Sequence, residues 1–190
     1  MQIVLVRHGE TEWSKSGQHT SRTDLPLLEE GRARAQALAP ILRRWDFSLV
    51  LTSPLRRARE TCELAGFADR AEVCEDLREW DYGDYEGLTT PQIREERPDW
   101  FLWRDGCPDG EQPDEVGARA DQVIDRLRQA EGDALAFAHG HIFRVIAARW
   151  IELPASGGAR LSLKAGAVCA LGFERETQVI ALWNETPQPQ

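Results

Sequence analysis

Five short apolar runs, separated by segments of helical period, fix the architecture open to this chain. They are Ile3–Val6, Ser48–Thr52, Ala134–Ala138, Val168–Phe173 and Val179–Trp183. Runs of this length bounded by turn residues read as strands. Between them, Glu29–Arg44 carries Ala33, Ala37, Leu38 and Ile41 on one face. Glu115–Ala130 places Val116, Ala120, Val123, Ile124 and Leu127 at helical spacing, and Pro54–Ala65 and Ile142–Ile151 are further helix candidates. Strands alternating with helices predict an α/β fold with a mostly parallel central sheet and helices on both faces. The last two runs are expected to be antiparallel edge strands joined by a turn around Glu174–Gln178.

The stretch from Trp80 to Pro113 breaks this rhythm. It is rich in Gly, Pro, Asp and Trp, with one short helix expected around Pro91–Glu96. It is too long for a plain connection and reads as a small cap, about 80–113, inserted after the third strand region. A chain of 190 residues is expected to form a single domain over 1–190. The tail Thr186–Gln190 is expected to fray.

Composition narrows the partners. A net charge of -9 argues against non-specific nucleic-acid binding and against an anionic membrane surface. An anionic ligand must therefore be met by a local cluster of arginines. Lys15 and Lys164 are the only lysines, so positive charge rests on arginine, which suits planar oxyanion recognition. Cys62, Cys74, Cys107 and Cys169 lack metal-ligand spacing and read as reduced thiols of a cytoplasmic protein. No signal peptide, spanning segment, repeat or low-complexity tract is expected.

Three of the strand candidates run into reactive residues. The first ends in Arg7-His8-Gly9, the second leads into Ser53-Pro54-Leu55-Arg56-Arg57, and the third ends in His139-Gly140-His141. Ligands of open α/β sheets bind beyond the carboxyl ends of the strands. An imidazole attacks phosphorus as a neutral nucleophile, and a guanidinium holds two phosphate oxygens. Gly9 is expected to let the backbone approach the bound group. Ser53 is a candidate N-cap with Pro54 at the first helical position, which would aim a helix N-terminus at an anion. Arg56, Arg57 and Arg59 alone read equally well as a solvated helix face. In Leu77–Gly87, four acids set among Trp and Tyr are candidate proton donors: Glu79, Asp81, Asp84 and Glu86.

These residues resemble the histidine phosphatase superfamily, also called phosphoglycerate-mutase-like, from Ile3 to about Arg144. Leu5-Val6-Arg7-His8-Gly9-Glu10-Thr11 looks like its nucleophile motif, and Ser53–Thr61 like its second-arginine motif. Leu77-x-Glu79 with Gly83 and Glu86-Gly87 looks like its proton-donor motif, and Ala138-His139-Gly140-His141 like its second-histidine motif. One such motif is weak; four in this order are specific. The resemblance implies that His8 becomes phosphohistidine, that Arg7, Arg57 and His139 line the phosphate pocket, and that Glu79 protonates the leaving oxygen. It places Ser14, Thr20, Ser21, Tyr82, Gly140, His141 and Arg144 against substrate; Arg104 reads equally well as a contact to a distal phosphate and as a surface salt bridge with Asp105 or Asp109. It implies no metal and no cofactor. His8 must be neutral to attack, and the two guanidiniums beside it are expected to lower its pKa.

Within the family, Ser14, Ser21 and Leu28 depart from the mutase pattern, and the mutase-specific basic insert is missing. Leu28 leaves the first long helix without a Ser or Thr cap. Trp13–Thr20, Arg78–Gly87, Trp103–Cys107 and Phe137–His141 look like the sedoheptulose-bisphosphatase and compact acid-phosphatase branch. A phosphatase of small phosphorylated metabolites, sugar phosphates or bisphosphates, is the implied activity. A phosphoglycerate mutase and a phosphoprotein phosphatase are the alternatives. A non-catalytic phospho-ligand module fits least, because both His8 and Glu79 are present.

Overall fold

The computed structural model describes residues 1–187, so the end of the expected frayed tail, 188–190, lies outside the described residues. In chain order the elements are β1 (Ile3–Arg7), α1 (Glu12–Ser16), α2 (Glu29–Gln36), α3 (Ala39–Leu42), β2 (Phe47–Thr52), α4 (Arg56–Leu64), β3 (Ala71–Val73), α5 (Thr90–Glu96), α6 (Leu102–Asp105), α7 (Pro113–Arg128), β4 (Asp133–Ala138), α8 (Gly140–Trp150), β5 (Val168–Glu174) and β6 (Thr177–Glu185). The strands form one sheet in the order β3-β2-β4-β1-β5-β6. The first four are parallel, while β5 and β6 run antiparallel as a hairpin at one edge.

Alternation along the strands splits the core in two, because successive side chains of a strand point to opposite faces. Val4, Val6, Val50, Leu135 and Phe137 pack with Ala35, Leu38, Leu42 and Cys62 of the α2–α4 layer. Ile3, Leu5, Leu51, Ala134 and Ala136 pack with Val116, Val123 and Leu127 of α7 and Phe143 and Ile146 of α8. The sheet is therefore covered by helices on both faces. The cap joins the second core: Trp80, Tyr82, Trp100, Trp103 and Cys107 are all buried in it. Trp80 stacks edge-on against Trp103 at 5.5 Å between centroids.

Three local expectations are corrected. The helix foreseen over Glu29–Arg44 is two helices, because Pro40 in the first turn of α3 has no N–H to continue the ladder. The helix foreseen over Pro54–Ala65 begins at Arg56, and its N-cap is Leu55, without a side-chain bond. Ser53 is committed elsewhere, as described below. The short edge strand β3 was not foreseen. Leu28 caps α2 with no side-chain bond, as its apolar side chain dictates.

Candidate active site

Parallel pairing aligns the ends of β1, β2 and β4. Arg7 lies opposite Ala138, and Thr52 opposite Phe137. The backbone continues the ladder one residue further: His8 N donates to Ala138 O at 2.9 Å, and Ser53 N to Phe137 O at 2.9 Å. His8, Ser53 and His139 thus leave the sheet side by side at its carboxyl edge. The His8 and His139 rings meet edge to face at 5.2 Å.

His8 Nδ1 faces its neighbour's carbonyl, Gly9 O, at 2.7 Å. A carbonyl only accepts, so Nδ1 carries the proton and Nε2 keeps its lone pair for an electrophile. Burial pushes the His8 pKa well below its ordinary value, and the Arg57 and Arg7 guanidiniums push it further; the bond to Gly9 O works the other way. The guanidinium effect was foreseen, but burial is the larger cause. Gly9 permits a close approach other than the one foreseen. A Cβ there would stand 2.5 Å from Gly31 O, so glycine seats the loop on α2 rather than on a ligand.

Arg57 is the buried member of its arginine cluster at 1% exposure, while Arg56 and Arg59 face solvent. Its Nε donates to His139 Nδ1 at 3.1 Å, and its Nη groups donate to the carbonyls of Thr23, Thr20 and Ser21. Glu86 fixes that carbonyl-bearing loop by accepting from Ser21 N, Ser21 Oγ and Thr23 N. Arg7 donates from Nη1 to Leu163 O, and its Nε is buried with no partner among the described residues. Gly140 makes room for it: a Cβ there would lie 3.2 Å from Arg7 Cζ.

The geometry separates the four candidate acids. Glu79 is the buried one, at 7% exposure. Its carboxylate accepts from Trp80 N at 3.0 Å and, at the N-terminus of α8, from Ile142 N at 2.8 Å and His141 N at 3.0 Å. Asp81 is engaged by Arg22 and Gly83 N, Glu86 holds the loop just described, and Asp84 is exposed.

Arg7, His8 and Glu79 line one cavity of about 180 Å³. Of the residues foreseen against substrate, Ser14, Thr20, Tyr82, Gly140, His141 and Arg144 line it too. Ser14 also closes the capping box of α1, accepting from Thr11 N at 2.8 Å. Tyr82 Oη bonds His141 Nδ1 at 2.6 Å. Arg144 is held by Gly158 O and Ala159 O and lies over the Trp103 ring at 4.5 Å. Ser21 does not line this cavity; its hydroxyl is spent on Glu86. Arg104 does not line it either. It is exposed and paired with Asp105 at 2.7 Å and with Asp99 O, so the distal-phosphate role foreseen for it has no geometric basis.

Sequence reasoning did not assign Thr11, Trp13, Gln18, His19 and Leu163, which line the same cavity. His19 rests against Tyr82 at 4.7 Å, and burial lowers its pKa to about 4. His139 and His141 are lowered as well, by burial first and then by neighbouring cations. All four histidines of the chain therefore gather at one site as neutral rings. Cys62, Cys107 and Cys169 are buried thiols pushed up to about 12, which leaves them inert as nucleophiles.

A neutral imidazole with one free nitrogen, one half-buried and one buried guanidinium and a carboxyl group at the carboxyl edge of an α/β sheet suit phosphoryl transfer. The family model of the histidine phosphatase superfamily, branch 1, matches residues 3–186, and the chain belongs to that family. It is similar to an acid phosphatase of Mycobacterium tuberculosis, 40% identical over 99% of this chain and 94% of that protein. A sedoheptulose 1,7-bisphosphatase of Saccharomyces cerevisiae is 41% identical over 79% of this chain and 67% of its own length. A solved structure of a Mycobacterium tuberculosis open reading frame superposes with a TM-score of 0.94 at 39% identity, covering 98% of both chains. The protein is a phosphatase of this superfamily.

Proposed function

We propose that the protein hydrolyses small phosphorylated metabolites, sugar phosphates or bisphosphates, through a phosphohistidine on His8. The observation that carries this reading is the free Nε2 of a neutral His8 beside Arg7 and Arg57, with Glu79 on the wall of the same cavity. The phosphate oxygens bind the Arg7 guanidinium on the cavity wall, with the positive charge of Arg57 behind it, where charge accumulates in a loose phosphoryl transition state. Neither Arg57 nor His139 lines the cavity, and His139, whose ring nitrogens are taken by Arg57 and Ser53, packs edge to face on His8. His8 Nε2 forms a bond to phosphorus as the bond to the leaving oxygen breaks, and Glu79 gives that oxygen its proton. Gly9 O stabilises the imidazolium through Nδ1–H. Water, deprotonated by the Glu79 carboxylate, then attacks phosphorus. Inorganic phosphate departs, and neutral His8 returns.

The cavity wall of Trp13, Ser14, His19, Thr20, Tyr82 and Arg144 receives the leaving group. Hydroxyls, imidazoles and an arginine suit a polyol, and the 41% identical bisphosphatase supports a sugar-derived substrate. At about 180 Å³ the cavity is below the usual size of ligand pockets, which favours a compact metabolite over a phosphorylated protein segment. The chain acts as one catalytic unit, with 80–113 as its cap. Cytoplasmic residence is part of this proposal, supported by four buried cysteines that are free thiols. Among the described residues, no helix is long and apolar enough to cross a membrane.

The test is release of inorganic phosphate across a panel of sugar monophosphates and bisphosphates, scored by kcat/KM. Sugar phosphates are expected to exceed phosphotyrosyl peptides, and no interconversion of monophosphoglycerates is expected. A phosphopeptide turned over faster than every metabolite would overturn the substrate assignment.

A further inference from the structure

The backbone that delivers Glu79 is irregular between the 3₁₀ turns Glu75–Leu77 and Gly83–Tyr85. Its neighbours in the sheet do not hold it; one side chain of α7 does. Arg119 Nη1 donates to Asp76 O and to Arg78 O, both at 2.7 Å, and Nη2 reaches Glu79 O at 3.4 Å. The remaining N–H groups make a two-pronged bond to Glu111, Nε to Oε1 at 2.8 Å and Nη2 to Oε2 at 2.7 Å. Every N–H of the guanidinium has an acceptor, and the side chain is only 16% exposed. Glu111 grips the same segment directly. Its carboxylate accepts from Asp81 N at 2.8 Å, its N–H donates to Asp81 O, and its carbonyl accepts from Trp80 Nε1.

We propose that Arg119 is a positioning residue for the proton donor: with Glu111, it fixes the 76–81 backbone so that the Glu79 carboxyl faces the leaving oxygen. The inference rests on the reading of Glu79 as general acid. An ion pair kept only for stability would need no carbonyls of the Glu79 segment, whereas Arg119 binds three of them. Lysine cannot reproduce the arrangement, because an ammonium lacks the planar fork that reaches the carboxylate and the carbonyls together. A carboxyl displaced by even a small distance loses much of its advantage in proton transfer.

Leaving-group dependence tests this. An alkoxide needs a proton to depart, and a dinitrophenolate does not. In Arg119→Lys, kcat/KM for an alkyl phosphate such as glycerol phosphate is expected to fall roughly tenfold to a hundredfold, and for dinitrophenyl phosphate by less than about threefold. Arg119→Ala is expected to show the same selectivity with a larger loss. Both substrates are assayed on one preparation, so the ratio is unaffected by the fraction of protein folded. Inhibition by inorganic phosphate is expected to stay near the wild-type value, because Arg119 does not line the cavity. Equal losses on the two substrates would overturn the inference. Glu79→Gln is the reference. If it is selective for the alkyl phosphate and Arg119→Lys is not, the positioning role alone fails. If Glu79→Gln shows no such selectivity, the general-acid reading fails and takes this inference with it.

Discussion

Arg57 Nε donates to His139 Nδ1 at 3.1 Å, which leaves the proton of His139 on Nε2. That nitrogen stands 2.7 Å from Ser53 Oγ, which also accepts from Leu55 N at 3.3 Å. Guanidinium, imidazole and hydroxyl form one buried line, and its order fixes the tautomer of the second histidine.

Ser53→Ala removes the acceptor at the end of that line. His139 and Ser53 are both fully buried, so the abandoned N–H finds no water. The loss is expected to cost about 1–3 kcal/mol of stability. Because the ring is freed to turn, kcat/KM is expected to drop about tenfold as well. Thermal denaturation and steady-state kinetics on the same variant check both; wild-type values in either would contradict the assignment.

The histidines make a prediction about pH. Unfolded histidine titrates near 6.5, whereas His8, His139 and His141 titrate well below that in the fold, and His19 at about 4. Below pH 6.5 the unfolded chain therefore binds more protons than the native one. Stability is fully present above that pH and is lost as pH falls, from 6.5 to about 4 for His19 and to lower pH for the other three. Denaturant midpoints are expected to fall steadily over that interval, and imidazole nitrogen resonances at pH 6 to report four neutral rings. A charged His8 signal at pH 6 would contradict the account.

Gly140→Ala tests the packing behind Arg7. The new Cβ would sit 3.2 Å from both Arg7 Cζ and Arg7 Nε, so the guanidinium must move by a few tenths of an ångström. KM for a phosphate monoester is expected to rise about tenfold with little loss of stability. Gly9→Ala is expected to behave differently, because its Cβ meets Gly31 backbone at 2.5 Å, and to destabilise the protein by at least ~1–3 kcal/mol. Measuring KM and denaturation for the pair separates the two roles.

Much of this arrangement was legible in the chain because its signals are local. Arg7-His8, Ser53, Arg57 and His139 each follow a strand readable from its apolar run, and parallel pairing brings such ends to one edge. Other parts depend on distant partners. Ser53 reads as an N-cap until His139 claims its hydroxyl, an example of tertiary bonding overriding a local preference. The residues alone leave four acids open and the resemblance points to Glu79; what the sequence does not show is that its carboxylate accepts from the N-terminus of α8. His19 is a lone loop histidine in sequence and reaches Tyr82 through the pairing of Gln18 with Thr89. Three-residue β3, half exposed at the sheet edge, carries no alternation to read. Arg104 sits in a motif shared with the bisphosphatase branch, but its neighbour Asp105 takes its charge.

The central claim is that His8 carries the phosphoryl group. Rapid quenching during turnover of a labelled phosphate monoester, followed by peptide mapping, addresses it directly. The account predicts an acid-labile, base-stable phosphoryl group on His8 in the wild type, and neither that adduct nor turnover in His8→Ala. A phosphoryl group mapped to any other residue, or undiminished turnover by His8→Ala, would contradict it.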